Sequence, residues 1–163
     1  MTQNLDQLWE IYSARMEALM EQLPVMEQLS LLHDRMKTAQ QAIEESAQLQ
    51  MLLNEQEHMR QEAEKYQEAG NQGLSVYIQN QMGYRQGPIR ERKAKLAQLL
   101  EHGSFSGVAE AETLLSGAAQ SADTIEKKIL AFQREYAQVL EKCREIDTQL
   151  RKTGEHNPDA RDH

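Results

Sequence analysis

The fold class follows from residues 122–150, ADTIEKKILAFQREYAQVLEKCREIDTQL, where apolar residues recur at alternating steps of four and three. This heptad seam consists of Ile125, Ile129, Phe132, Tyr136, Val139, Cys143, Ile146 and Leu150, with Ala122 one step before it. Such spacing is typical of a long helix whose narrow apolar stripe packs against another helix. It predicts an elongated all-α protein whose last helix packs against a partner or against the chain itself.

Composition and charge exclude several classes of function. The chain has 163 residues and a formal net charge of −8, which disfavours direct binding to nucleic acid or to an anionic membrane surface. No apolar run approaches the roughly 20 residues that span a bilayer. The N-terminus lacks the basic and apolar regions of a signal peptide, and the lone Cys143 has no partner for an intrachain disulfide. These features predict a cytoplasmic protein without membrane contact.

The N-terminal half reads as long helix with one interruption. Its first apolar stripe consists of Leu5, Leu8, Tyr12, Met16, Leu19 and Leu23. Pro24 follows, and proline both lacks an N–H and clashes with the preceding turn, so either a new helix starts there or one helix kinks. The pattern predicts a long helix over about residues 24–69, ended by the glycines of residues 70–73.

The sequence after residue 73 predicts short helices followed by a second long helix. Short helices are expected over residues 74–82, from Pro88 to Gly103 and around residues 108–115, with residues 83–87 as a loop. The last helix is expected over residues 121–152, which closes a single antiparallel helical domain over residues 1–152 and leaves 153–163 as a disordered tail. Because the stripes are narrow, we expect a homo-oligomer, most simply a dimer.

One dense basic stretch is a candidate docking site. It consists of Arg85, Arg90, Arg92, Lys93 and Lys95. In an acidic chain this stretch either docks an acidic partner or a phosphate backbone, or forms a solvated helix start that pairs with acidic residues of the long helices.

A metal site has only half of its expected pattern. Glu55 and His58 form the Glu-x-x-His spacing of carboxylate metal centres in helical bundles, but such a centre needs a second copy, which the chain lacks. A solvated helix surface is the simpler interpretation. No phosphate loop or nucleophile motif is present, so we expect no catalytic residues, no bound metal and no cofactor.

The methionines permit two interpretations. Seven of them are Met16, Met20, Met26, Met36, Met51, Met59 and Met82. Methionine packs adaptably, so these residues either fill irregular gaps in the core or line a groove that accepts a client helix.

Residues 92–136 resemble the YlbF/YmcA-type small helical regulators. The resemblance rests on residues 95–100 (KLAQLL), Phe105, residues 109–112 (AEAE), and then Ile125, Ile129, Ala131, Phe132, Gln133 and Tyr136. It covers about a quarter of the chain. It implies an all-helical, oligomeric, non-enzymatic protein, some relatives of which act in a complex that regulates RNA processing and development in Gram-positive bacteria. Some members bind iron–sulfur clusters through several cysteines, and the single Cys143 argues against that property here.

The sequence therefore predicts a non-enzymatic interaction or regulatory protein of the bacterial cytoplasm that acts through helix-on-helix packing. One alternative is a helical chaperone or partner of an exported helical protein, with the methionines lining the client groove. A second alternative is a carboxylate-bridged metal protein that depends on Glu55 and His58.

Overall fold

The computed structural model describes residues 2–153, which form five helices and no strand. The helices are α1 (Thr2–Glu68), α2 (Gln72–Tyr84), α3 (Gln86–His102), α4 (Val108–Gly117) and α5 (Ala122–Thr153). The predicted all-α class, with short helices between two long ones, is confirmed. Of the predicted tail, Thr153 belongs to α5 and residues 154–163 lie outside the described part of the chain.

Helix α1 begins at Thr2 and continues through Pro24, so of the two alternatives at this proline the structure has one helix rather than a new helix that starts at residue 24. A proline inside a helix costs about 3 kcal/mol, since one backbone hydrogen bond is lost and the ring crowds the preceding turn. Packing on either side of it offsets this cost. Leu19 is buried before the proline, and Met26 is half-buried after it.

The turn between α2 and α3 is shorter than predicted. Residues 83–87 were expected to form a loop, whereas only Arg85 separates the two helices. Its N–H donates to the carbonyl of Met82 (3.1 Å), and its own carbonyl accepts from the N–H of Ile89 (3.2 Å). Arg85 therefore forms hydrogen bonds with both the end of α2 and the start of α3, and Gly83 and Gly87 lie within these helices.

Contacts divide the described chain into two compact units. Unit 1 comprises residues 2–33 and 120–153, and unit 2 comprises residues 34–119, so α1 contributes residues to both. The single domain over residues 1–152 stays a prediction.

The core of unit 1 is the heptad seam of α5 packed on the first part of α1. Leu19, Phe132 and Val139 form its buried centre. The half-buried residues around them are Tyr12, Met16, Met26, Tyr136 and Cys143. Every predicted seam residue is buried or half-buried in the structure. The seam is therefore occupied by the chain's own α1.

The core of unit 2 uses small residues and one aromatic ring. Ala39, Phe105 and Ala111 form its centre, and the two alanines are fully buried. Gly103 allows the close approach, because a Cβ there would stand 2.3 Å from the Phe105 ring. The α1 helix is followed by Gly70 with φ +82°, as the predicted glycine stop requires.

Candidate interaction surfaces

An apolar groove of about 410 Å³ opens in unit 1 beside the seam. Its lining residues are Leu23, Met26, Glu27 and Ser30 of α1 with Ile129, Phe132, Gln133 and Tyr136 of α5. Its origin is visible in the sequence of α1, where the series Trp9, Met16 and Leu23 is followed one heptad later by Ser30. Because serine is too small to fill a position that large side chains occupy elsewhere in the series, space remains beside the α5 seam.

Two exposed apolar side chains outside the groove share a helix side with polar residues of its lining. Met20 lies one heptad before Glu27, and Leu130 lies one turn before Gln133, which places both on the groove side of their helices. Met20 is 55% exposed and Leu130 is 43% exposed. Exposed apolar residues beside an apolar groove with a polar rim are typical of a protein interaction site.

The predicted basic docking residues fall into two groups. Arg92 Nη1 lies 2.9 Å from Glu45 Oε1, and Lys95 Nζ lies 3.7 Å from Glu45 Oε2. Arg85 forms an ion pair with Glu55. The side chain of Glu45 is only 9% exposed, so Arg92 and Lys95 supply the positive charge that its burial demands. These three cations are therefore engaged with α1, as the interpretation of internal pairing predicts.

Arg90 and Lys93 differ from their neighbours. Both are exposed, and within residues 2–153 neither forms an ion pair. They remain the part of the basic stretch that a partner could reach.

A junction centred on Arg35 joins α1 to the turn between α3 and α4 in unit 2. Arg35 Nε donates to the Gly103 carbonyl (2.9 Å), and its guanidinium lies 4.6 Å from the centre of the Phe105 ring. Its Nη2 is 3.5 Å from Glu110 Oε1. Sequence reasoning missed this junction, and the signal that remained unused was the run Gly-Ser-Phe-Ser-Gly over residues 103–107.

Glu110 closes the same turn from the other side. Its Oε2 accepts from the backbone N–H of Ser106 (2.8 Å) and from the Ser106 hydroxyl (2.7 Å). The Ser106 N–H, the Ser106 hydroxyl and the charge of Arg35 together hold the pKa of the Glu110 carboxyl below its ordinary value.

Glu55 and His58, the two residues of the incomplete metal motif, each contact another side chain. Glu55 pairs with Arg85, and His58 Nε2 lies 3.1 Å from Glu62 Oε1. Over residues 2–153, no three His, Cys, Asp or Glu side chains come together in a metal-binding group. Burial raises the pKa of the Cys143 thiol, which disfavours the reactive thiolate.

Six of the seven methionines divide between the two interpretations, and Met51 is exposed in unit 2 and belongs to neither the core nor the groove lining. Met36 is buried, whereas Met16, Met26, Met59 and Met82 are half-buried. These positions are typical of core filler. Met26 also lines the groove of unit 1, and the exposed Met20 stands on the same side, so this pair fits the interpretation of a client surface.

Comparisons with known proteins found no match among family models, curated proteins or solved structures. The resemblance of residues 92–136 to the YlbF/YmcA-type regulators therefore stays a prediction. In the part of the chain that the structure describes, no helix is long and apolar enough to cross a membrane.

Proposed function

We propose that this protein is a non-enzymatic interaction protein that binds an amphipathic helix of a partner protein in the groove of unit 1. The observation that carries the proposal is the groove of about 410 Å³ between α1 and α5, where five of the eight lining residues are apolar or aromatic. Grooves of this kind bind helices that present apolar residues at positions i, i+3 or i+4, and i+7.

The groove suits such a helix chemically. Leu23, Met26 and Ile129 offer apolar contact, while Glu27 and Gln133 on the rim can orient the polar flank of the partner. Each large apolar side chain that a partner buries contributes about 1.5–3 kcal/mol, so two or three anchors are needed for a specific complex. The exposed Met20 and Leu130 extend the surface on which those anchors can lie.

The proposal includes self-association and a bacterial cytoplasmic location. Apolar residues of α1 that stay exposed in unit 1, such as Ile11 and Val25, support a homo-oligomer, most simply a dimer. The absence of a long apolar helix among residues 2–153 agrees with a location away from the bilayer. A regulatory role rests on the sequence resemblance to the YlbF/YmcA-type regulators.

A helical chaperone for an exported protein is the second candidate. It is favoured by Met20 and Met26, because flexible methionine side chains adapt to clients of different shape. The two candidates use the same groove and differ in the partner: a chaperone retains an exported helical client, whereas a regulator retains a resident protein.

The test uses a substitution that fills the groove and leaves the buried core residues unchanged. Ser30→Tyr places a ring in the space beside Ile129 and Phe132, and Ser30→Ala is the matched control, since it removes only a hydroxyl. A photo-crosslinking residue at Gln133 reports on partner binding, and one at the exposed Lys128, on another side of α5, reports on background.

We expect Gln133 to crosslink to a helical segment of one protein, with capture lost in Ser30→Tyr and kept in Ser30→Ala. Melting temperatures should stay close to that of the wild type. Equal capture at Gln133 and Lys128, or undiminished capture in Ser30→Tyr, would show that the groove is not the binding site.

A further inference from the structure

The groove of unit 1 has one charged residue in its lining, and that residue is acidic. Of the eight lining residues, five are apolar or aromatic, Ser30 and Gln133 are polar without charge, and Glu27 carries the only charge. Glu27 is exposed, and within residues 2–153 it forms no ion pair. The Glu27 carboxylate is therefore available to a molecule that enters the groove.

Exposed apolar residues lie on both sides of Glu27 along α1. Met20 is seven residues before it and Leu31 is four residues after it, so all three share one side of the helix. Met20 is 55% exposed and Leu31 is 71% exposed. A partner that covers this side of α1 also removes water from the Glu27 carboxylate, which is unfavourable unless an opposite charge pairs with it.

Pro24 adds a second hydrogen-bond acceptor to the same side of α1. Because proline has no N–H, the Met20 carbonyl lacks the donor that residue 24 would supply in a regular helix. In an α-helix this carbonyl points along the axis toward residue 24, one turn beyond Met20 on the same side. This side of α1 therefore offers a partner a carbonyl and a carboxylate, both of which accept hydrogen bonds.

The surrounding charges favour a cationic donor. Within unit 1, α1 has Arg15 as its only lysine or arginine, and Arg15 Nη2 already lies 3.8 Å from Glu135 Oε1. The nearby cations of α5, Lys128 and Arg134, are exposed outside the groove lining. A surface of this kind attracts positive charge. The acidic residues of α1 in unit 1 are Asp6, Glu10, Glu17, Glu21 and Glu27.

From these observations we infer that the occupant of the groove is a basic amphipathic helix of another protein. Its apolar residues enter between α1 and α5, and a lysine or arginine beside them pairs with Glu27. A lysine ammonium has three donors and an arginine guanidinium has five, which is enough for both the carboxylate and the Met20 carbonyl. An acidic helix would instead place a like charge beside Glu27. The inference rests on the proposed function of the groove and specifies the chemistry of the partner.

The experiment uses three synthetic helical peptides that share one leucine face and carry lysine, glutamine or glutamate beside it. Fluorescence anisotropy gives the dissociation constant of each peptide at low and at high salt. Glu27→Gln removes the charge from the groove and keeps the shape of the side chain. Glu21→Gln is the matched control, because it removes the same charge from an exposed residue of α1 that lies about 120° around the helix and outside the groove lining.

We expect the wild type to bind the lysine peptide about tenfold more tightly than the glutamine peptide at low salt, and to bind the glutamate peptide most weakly. Higher salt should narrow these differences. Glu27→Gln should remove most of the preference for lysine, whereas Glu21→Gln should retain it. Ser30→Tyr should weaken the binding of all three peptides, because its ring fills the groove.

The outcomes separate the chemistry of the partner from the function of the groove. If the wild type shows no preference for lysine, or if Glu27→Gln and Glu21→Gln reduce the preference equally, the basic partner is overturned while the groove remains a helix-binding site. If no peptide binds, or if Ser30→Tyr leaves every dissociation constant unchanged, the groove does not bind helices, and the proposed function fails together with the inference.

Discussion

Unit 1 and unit 2 both contain residues of α1, yet different contacts stabilise them. In unit 1, two helical segments meet through a heptad seam, and apolar side chains such as Ile11 and Val25 stay exposed. In unit 2, polar groups far apart in sequence also hold the helices together, as Arg35 does at Gly103 and Arg92 at Glu45. These polar contacts of unit 2 involve partly or largely buried groups, whereas the Arg15–Glu135 ion pair of unit 1 is exposed. Both units leave apolar side chains exposed, such as Val25 in unit 1 and Tyr84 in unit 2.

The largest expected effect tests the seam of unit 1. Ile125→Ala removes a side chain that is 2% exposed, which should lower the free energy of unfolding by about 2–4 kcal/mol. The matched control is Leu130→Ala on the exposed side of α5, where the change should stay below about 1 kcal/mol. Urea unfolding measures both, and equal losses would show that the seam is not the main packing face of α5.

The next effect tests the close packing of unit 2. Gly103→Ala places a methyl group 2.3 Å from the Phe105 ring, so the turn must shift, at a cost of about 2 kcal/mol. Gly117→Ala is the control, because a Cβ there meets nothing within 4 Å. Hydrogen exchange should accelerate around residues 100–111 in the first variant. Unchanged protection there would contradict the proposed tight contact.

A smaller effect separates the paired from the unpaired cations of α3. Arg92→Gln leaves the buried Glu45 with Lys95 alone, which should lower the melting temperature and cost about 1 kcal/mol. Arg90→Gln together with Lys93→Gln should leave stability unchanged, because both side chains are exposed. If the double variant is the less stable one, the structural division of the basic stretch is wrong.

The smallest effect is a pH dependence at the turn of unit 2. The pKa of Glu110 is lowered from its ordinary 4.5, first by the hydrogen bonds from Ser106 and then by Arg35. Stability from these contacts is present above 4.5 and is lost as the pH falls through the lowered pKa. Wild-type protein should therefore lose more melting temperature on acidification than Glu110→Gln does. If the melting temperatures of the wild type and of Glu110→Gln fall equally with pH, this carboxylate does not contribute to the pH dependence of stability.

Much of the fold was predictable, because periodicity is a local property of the chain. The seam from Ile125 to Leu150 predicted both the helix and its buried face. Glycine likewise predicted the end of α1 near Gly70. The loop predicted over residues 83–87 was wrong, since the single residue Arg85 links the two helices. The glycines at 83 and 87 predicted a turn from local sequence, but both belong to helices in the structure.

The candidate surfaces were predicted less well. The basic stretch was recognised, but which of its cations are engaged depends on carboxylates distant in sequence: Glu55 lies 30 residues from Arg85, and Glu45 lies 47 residues from Arg92. The groove was missed, although Ser30 in a series of large residues was a readable signal. Arg35 was missed because its partners come from a turn 68 residues later.

The sequence alone determined that the chain is helical and which residues share a helix face, because side-chain spacing along 3.6-residue turns depends only on neighbours. Only the tertiary structure decided which faces are covered. Pro24 stays inside α1 because packing at Leu19 and Met26 offsets its local cost. Ile11, Ala18 and Val25 of α1 recur as regularly as the seam residues of α5, yet these three are exposed, whereas every seam residue is buried or half-buried. Burial depends on where distant segments lie, and spacing along one helix carries no information about that.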